Sequence, residues 1–467
     1  MAGKLFLEKA YLAYFGRPVD PTGATAFSSS TDAQVEAAFF ASPESKALFG
    51  QTFGPDQINQ IYLTLFGRPA EQAGLDYWTN QVQQGLLTPA GAALGIQDGA
   101  RNADIPALEN KLAASASFTA SLDTPAEIQG YSGDPSAATA RDFLKTITAA
   151  PATAAQVNLA VEHTVAAFYV KVAPIADGLS LVSEGTSVNR LALTAQTATS
   201  LTISGHAVLD LNDSTLPAVT AIEATGYSAG LSVNLSGNAG ASTIKVGNGQ
   251  NVVYTGSLND KVTVGNGFNI VVTGAGDDQI IGGNGSASRF FSAGVDARGN
   301  VVRAEDEIIH YGNRILAGAG KDTITLGKGA VDLLRYADVT DSNGANTDVV
   351  NGFETSFVAG QIARSTTVNG VVTTTMVDVI GRDVINLALI QFGPGARSYA
   401  GEVSGMNAVL SSLTAGSVKA VLDTSSSTVY IDVDGSGTLD GKDMSIQLVG
   451  VTSLTAGNFE FGTATST

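Results

Sequence analysis

The chain of 467 residues has no cysteine, a single tryptophan, four methionines and three histidines, and only 15% of it is charged. Without cysteine it forms no disulfide staple and offers no thiolate to a metal. The histidines, His163, His206 and His310, stand alone with no HExxH spacing, which argues against catalytic zinc. Basic residues are scarce, 25 Lys and Arg against 43 Asp and Glu, for a formal net charge of −18. That balance disfavours nucleic acid and anionic membrane surfaces as partners. Long apolar runs are also missing: no stretch approaches the roughly 18 residues of a membrane span. The opening, MAGKLFLEKAYLAYFGRP, is not expected to be a cleaved secretory leader, because its apolar positions are helically spaced and broken by Glu8 and Lys9. A hydrophobic share of 44% nevertheless marks a folded chain, long enough for roughly two to four domains.

What the chain has instead is glycine on a beat. Gly247, Gly256, Gly265, Gly274 and Gly283 recur every nine residues. A second glycine follows two residues on at Gly249, Gly267, Gly276 and Gly285, with Leu258 the exception. Next in step come Asn251, Asp260, Asn269 and Asp278, then Val253, Val262, Val271 and Ile280. A fixed period of this kind predicts a solenoid, each unit a Gly-rich turn followed by a short strand with an inward aliphatic residue. Two units make a coil, so Asp260 and Asp278 stack on one edge and Asn251 and Asn269 on the other. Carboxylates one coil apart lie about 4.8 Å apart and repel. A hard cation ligated by Asp side chains and turn carbonyls turns that repulsion into cohesion, while glycine lets the turn adopt φ > 0.

These residues resemble the calcium-binding nonapeptide repeats of the repeats-in-toxin family, GGxGxDxUx. The fit is strongest over Gly274, Gly276, Asp278 and Ile280, and it recurs at Gly318–Leu326 with Asp322 in the Asp slot. The sequence departs from the pattern at Asn251 and Asn269, and again at Ser242 and Ala287 in the same slot. The Asn edge therefore holds either calcium or a neutral amide ladder. The resemblance implies Ca2+ as cofactor, a β-roll, and export without a cleaved leader. The alternative is a metal-free Gly/Asn solenoid.

Before the solenoid, residues 1–175 read as a helical domain. Leu7, Ala10, Tyr11, Tyr14 and Phe15 form a helical stripe, and Ile58, Ile61, Tyr62, Leu65 and Phe66 repeat it. Each stripe ends in Phe-Gly-Arg-Pro, at Phe15–Pro18 and Phe66–Pro69. Asp20 then matches Glu71, Gly23 matches Gly74 and Phe27 matches Trp78, which makes this an internal duplication. Further helices are expected over 34–48, 104–118 and 136–148, the last opened by Asp134 and Pro135. The two copies resemble a helical domain of unknown function near the N-termini of bacterial surface-layer proteins exported by type I machinery. That resemblance implies attachment to cell-surface polysaccharide such as lipopolysaccharide. Arg17 and Arg68 are candidate glycan contacts at solvated turns, or caps for helix C-termini. Tyr77 and Trp78 are candidate sugar platforms, or core aromatics.

The remaining boundaries are a solenoid over 176–355 and a β-rich C-terminal domain over 356–467, so the fold class is multidomain, α plus all-β. The stretch 180–236 resembles the calcium-free solenoid coils that precede such repeats. Residues 286–312 interrupt the period, and Phe290 and Phe291 there either dock on a neighbouring subunit or cap the core at home. Asp432, Asp434, Ser436, Gly437, Thr438, Asp440 and Asp443 occupy positions 1, 3, 5, 6, 7, 9 and 12 of an EF-hand-type loop, read as calcium-binding or else as an acidic turn. The flanks read as strands, so the loop lacks its helix pair. The segment through LVGVTSLTAGNF resembles the uncleaved export signal of type I-secreted proteins. Gly226–Gly230 fits GxSxG, but a strand-like LSVNLSGN follows where a hydrolase needs a helix. No nucleophile, base and oxyanion site assemble, so the chain is expected not to be an enzyme but a self-associating surface protein.

Overall fold

Helix Lys4–Phe15 and helix Pro55–Phe66 stop in the same way. Gly16 (φ 62°) and Gly67 (φ 72°) take the left-handed conformation and donate their N–H groups back to Leu12 O and Leu63 O, each at 3.0 Å. Proline two residues later prevents the helix resuming. In the computed structural model, which describes residues 3–50, 52–186, 188–290, 293–295, 301–303, 307–368 and 371–462 (side chains excepted over 286–311 and 359–379), the chain divides into two compact units.

The first unit comprises Met1–Lys171 with Asn189–Leu191. Its eleven described helices run from Lys4–Phe15 to Ala154–Tyr169. The stripes of both copies are buried in one core with Phe39, Trp78, Ile96 and Leu144. The expected helix over 34–48 is two, Asp32–Ala41 and Pro43–Phe49, because Ser42 caps the second and Pro43 cannot continue the first. Helix Asp104–Ala120 runs past its expected end. Helix Gly133–Thr146 starts from Ser132 as N-cap, so Asp134 lies inside its first turn.

The second unit, Val172–Val188 with Ala192–Thr467, is a solenoid of two mainly parallel sheets. One sheet runs through Ala221–Ala224, Thr243–Val246, Lys261–Thr263, Gln279–Ile281, Thr323–Thr325 and Asp348–Asn351. The other runs through Leu231–Asn234, Asn251–Tyr254, Asn269–Val272, Glu307–Leu316, Val331–Arg335 and Val384–Asn386. Asn251 pairs in register with Asn269 and Lys261 with Gln279, which gives the eighteen-residue coil. Val253, Val262, Val271 and Ile280 are all fully buried between the sheets, so the period-2 strands point their aliphatic residues inward.

Two expectations change. After Asn269 the next residue on its edge is Asn313, not Ala287. Strand Ser286–Phe290 turns back antiparallel onto Glu307–Leu316, so one coil is 44 residues long. What Phe290 and Phe291 touch lies outside the described side chains. The expected third domain at 356–467 is not a separate unit. Met444–Leu448 pairs parallel with Asp348–Asn351, and Val384–Asn386 pairs with Val331–Arg335, so the C-terminal strands continue both sheets. Strand pairing removes that boundary.

Candidate metal centres

The stacked turns leave no room for a side chain. Gly320 has φ 142°, and a Cβ there would lie 1.9 Å from Gly276 O of the coil before. Only glycine permits that approach, and each turn leads into the residue that follows it. On one edge that residue is Asp260, Asp278, Asp322 and then Asp348. Each directs Oδ1 at the backbone of the coil before: Asp260 to Ser242 N–H at 2.5 Å, Asp278 to Asp260 N–H at 2.7 Å, Asp322 to Asp278 N–H at 2.8 Å, and Asp348 to Asp322 N–H at 2.9 Å. The second oxygen, Oδ2, has no hydrogen-bond partner in any of the four, although none is more than 2% exposed.

A carboxylate that is dehydrated on one side and faces another carboxylate either keeps a proton or holds a cation. Burial, then the neighbouring Asp278, pushes Asp322 up to about 7. Burial, then Asp322, pushes Asp348 up to about 9. Asp278 is also raised, chiefly by burial. A row of buried, unpartnered carboxylate oxygens is an oxygen donor set, and it fits a hard divalent cation.

On the other edge amides satisfy one another over most of its length. Asn251 Nδ2 donates to Asn269 Oδ1 at 2.8 Å, and Asn269 Nδ2 to Asn313 Oδ1 at 3.0 Å. Asn251 Nδ2 also reaches Gly247 O at 3.0 Å, and Asn269 Nδ2 reaches Gly265 O at 2.9 Å. The amides satisfy one another and their turns, so of the two readings of this edge the geometry is that of the ladder. Its amides end at Asp332, which accepts Asn313 Nδ2 at 2.9 Å while its Oδ2 has no partner, and the edge continues to Asp383, whose Oδ1 accepts Asp332 N–H at 2.9 Å.

Residues 234–262, 263–286 and 311–330 match the RTX calcium-binding nonapeptide repeat. The RTX segment is thus a β-roll whose repeat aspartates form an inward row. Residues 36–104, which span the second helical copy, match a domain of unknown function, DUF4214. No curated protein matches the chain.

Sequence reading missed Asp332, Asp348 and Asp383. The signal for Asp348 is present as Gly344, Asn346, Asp348 and Val350, with Asn in a glycine slot. Asp383 follows Gly381 and precedes Ile385 at repeat spacing. Asp332 stands one residue too far from Gly329, and that slip hid it.

A second centre lies in the turn between strand Thr428–Asp432 and strand Met444–Leu448. Asp432, Asp434 and Asp443 can each bring a carboxylate oxygen within 4.8 Å of the others. Gly437, at the loop's sixth position, has φ 81°. It donates its N–H to Asp432 Oδ2 at 2.8 Å, while Ser436 N–H reaches Asp434 Oδ1 at 2.9 Å. Burial raises Asp432 and Asp443, whereas hydrogen bonds from Ser436 lower Asp434. Asp440 is not among these three clustered carboxylates, and its Oδ1 accepts Lys442 N–H at 2.8 Å. Ser436 Oγ and Thr438 Oγ1 lie 3.0 Å apart across the loop.

The glycan candidates separate. Arg17 is not at a solvated turn: it is 8% exposed, pairs with Glu44 (2.7 Å) and Asp20 (3.1 Å), and lies over the Tyr11 and Tyr131 rings. The turn points its guanidinium inward, where it joins Glu44 of helix Pro43–Phe49 to Asp20 and the Tyr131 hydroxyl. Arg68 repeats the pattern with Asp104 (2.6 Å) and Glu71 (2.6 Å) but stays partly exposed. Arg68, Tyr77 and Trp78 line one cleft of about 650 Å³ with Tyr62, Glu71 and Asp104. Trp78 is buried and donates to Tyr62 Oη at 3.0 Å, while Tyr77 is 55% exposed. Ser228 lies in a solenoid turn, with strand Leu231–Asn234 rather than a helix after it.

Proposed function

We propose that the chain is a secreted structural protein of the bacterial surface, of the S-layer type, that folds and self-assembles when it meets calcium outside the cell. The observation that carries this reading is the row of buried aspartates whose second oxygen has no partner. In the cytosol, where calcium is low, the row repels itself and the roll stays open for passage through a type I exporter. Outside, an ion bound only by the folded roll stabilises it by mass action. Self-association is supported by strand Ala396–Val403, which ends its sheet and leaves an edge for another chain to pair with. The cleft of the second helical copy, an exposed tyrosine beside a charged rim, supports attachment to cell-surface polysaccharide such as lipopolysaccharide. No catalytic role is assigned.

Electron microscopy of the purified chain tests assembly: ordered two-dimensional arrays should form on adding calcium and dissolve in EDTA. Calcium-folded protein that stays dispersed yet binds polysaccharide would instead mark a biofilm-matrix adhesin. Ester or peptide hydrolysis abolished by Ser228→Ala would mark a hydrolase with an RTX tail.

A further inference from the structure

The aspartate row outlasts the matched repeats. After Leu326 the chain forms strand Val331–Arg335 and a loop with the short 3-10 turn Val339–Asp341, then returns as Asp348–Asn351. That loop sets Tyr336, 3% exposed, and Asp341, 6% exposed, beside Asp322 and Asp348, both fully buried. Asp341 is held in place, its Oδ2 accepting the N–H groups of Ala337 at 2.7 Å and Asp338 at 3.0 Å. Asp348 N–H donates to Ser342 Oγ at 2.9 Å. The loop is therefore built rigidly around the last aspartate.

Three buried polar atoms remain unpartnered there: Asp322 Oδ2, Asp348 Oδ2 and Tyr336 Oη. The phenol faces the Asp348 carboxylate, but a hydrogen bond between them would satisfy only one of the two lone carboxylate oxygens. The charges acting on Asp348 are Asp322 and Asp341, both negative. Filling the space would need no hydroxyl, since a phenylalanine would bring no unpaired oxygen of its own.

We propose that Asp322, Asp348 and Tyr336 form a terminal binding site for a divalent cation of the calcium class, closing the aspartate row beyond the matched repeats. Two carboxylates supply the charge that selects a divalent over a monovalent ion. The phenol supplies a neutral oxygen. An ion there would pin the loop to the final repeat coil, at the point where a solenoid needs an end that does not fray. The proposal rests on the calcium reading of the repeats, and its test separates the two.

The full chain, stripped of metal, is titrated with Ca2+ alone and the bound ions are counted by native mass spectrometry. It is then titrated with Tb3+ to read tyrosine-sensitised emission. Asp348→Asn should take up one ion fewer than wild type. Tyr336→Phe should keep the fold, lose part of the sensitised emission and weaken the last ion by roughly tenfold. Variants that match wild type in both ion count and emission overturn the terminal site and leave the calcium roll standing. A wild-type chain that takes up no calcium overturns both.

Discussion

Asp278→Asn should reverse the sign of its effect when calcium is added. On the opposite edge Asn269 already shows what an amide does in this slot, donating to the next coil at 3.0 Å and to its own turn at 2.9 Å. At position 278 the carboxylate instead leaves Oδ2 buried and unpartnered. An unsatisfied buried polar atom costs about 1–3 kcal/mol, so the asparagine variant should be more stable than wild type by about that amount in EDTA. With calcium at 100 times its Kd, each bound ion contributes about 2.7 kcal/mol. The variant forgoes that for every site Asp278 serves and becomes the less stable chain. Urea unfolding of the full chain, with and without calcium, measures both limbs through the β signal in circular dichroism. Trp78, the only tryptophan, reports the helical unit and should not respond. Equal destabilisation in EDTA and in calcium would refute the argument, because an ordinary structural aspartate behaves that way.

The metal-free solenoid should lose stability as pH rises. Asp322 sits at about 7 and Asp348 at about 9 when folded, against about 3.9 for an unfolded aspartate. Their contribution is therefore intact below about pH 4 and is lost as pH climbs through the folded values. Saturating calcium should give the opposite slope, because ion binding needs the deprotonated forms; unfolding midpoints across that pH range decide it. Asn269→Ala breaks one rung of the amide ladder and should cost about 1–3 kcal/mol alike in EDTA and in calcium, as read by the same urea titration. Arg17→Ala takes the arginine from Asp20 and leaves Glu44 with Arg141 alone (2.7 Å), and should destabilise the helical unit by about 1.5–3 kcal/mol, followed by Trp78 fluorescence. Tyr77→Ala should leave that stability unchanged and weaken polysaccharide binding in a pull-down.

Much of the candidate site was legible because it is periodic. A nine-residue beat names the aspartate row and its spacing without coordinates, and the EF-type spacing names Asp432, Asp434 and Asp443. Asp332 was hidden by a one-residue slip, and Asp348 by a single Asn in a glycine slot. Asp440 shares the loop but stands outside the three clustered carboxylates, because loop position says which residue can ligate, while the turn decides where its oxygen points. Arg17 and Arg68 occupy identical motifs, yet only Arg68 borders an open cleft. What covers Arg17 is Tyr131, 114 residues away, and no local pattern reports it.

Sequence alone determined the helical duplication, the coil and the slots where carboxylates stack, because glycine turns and alternating strands act over a few residues and leave their period in the chain. Tertiary structure decided what that period could not reach. It decided that the strands after 356 rejoin both sheets, that a 44-residue detour is one coil, and that the amides pair among themselves while the aspartates keep an oxygen free. Those outcomes depend on which distant segments meet and on whether a buried polar atom finds a partner there, and both are settled only when the coils stack.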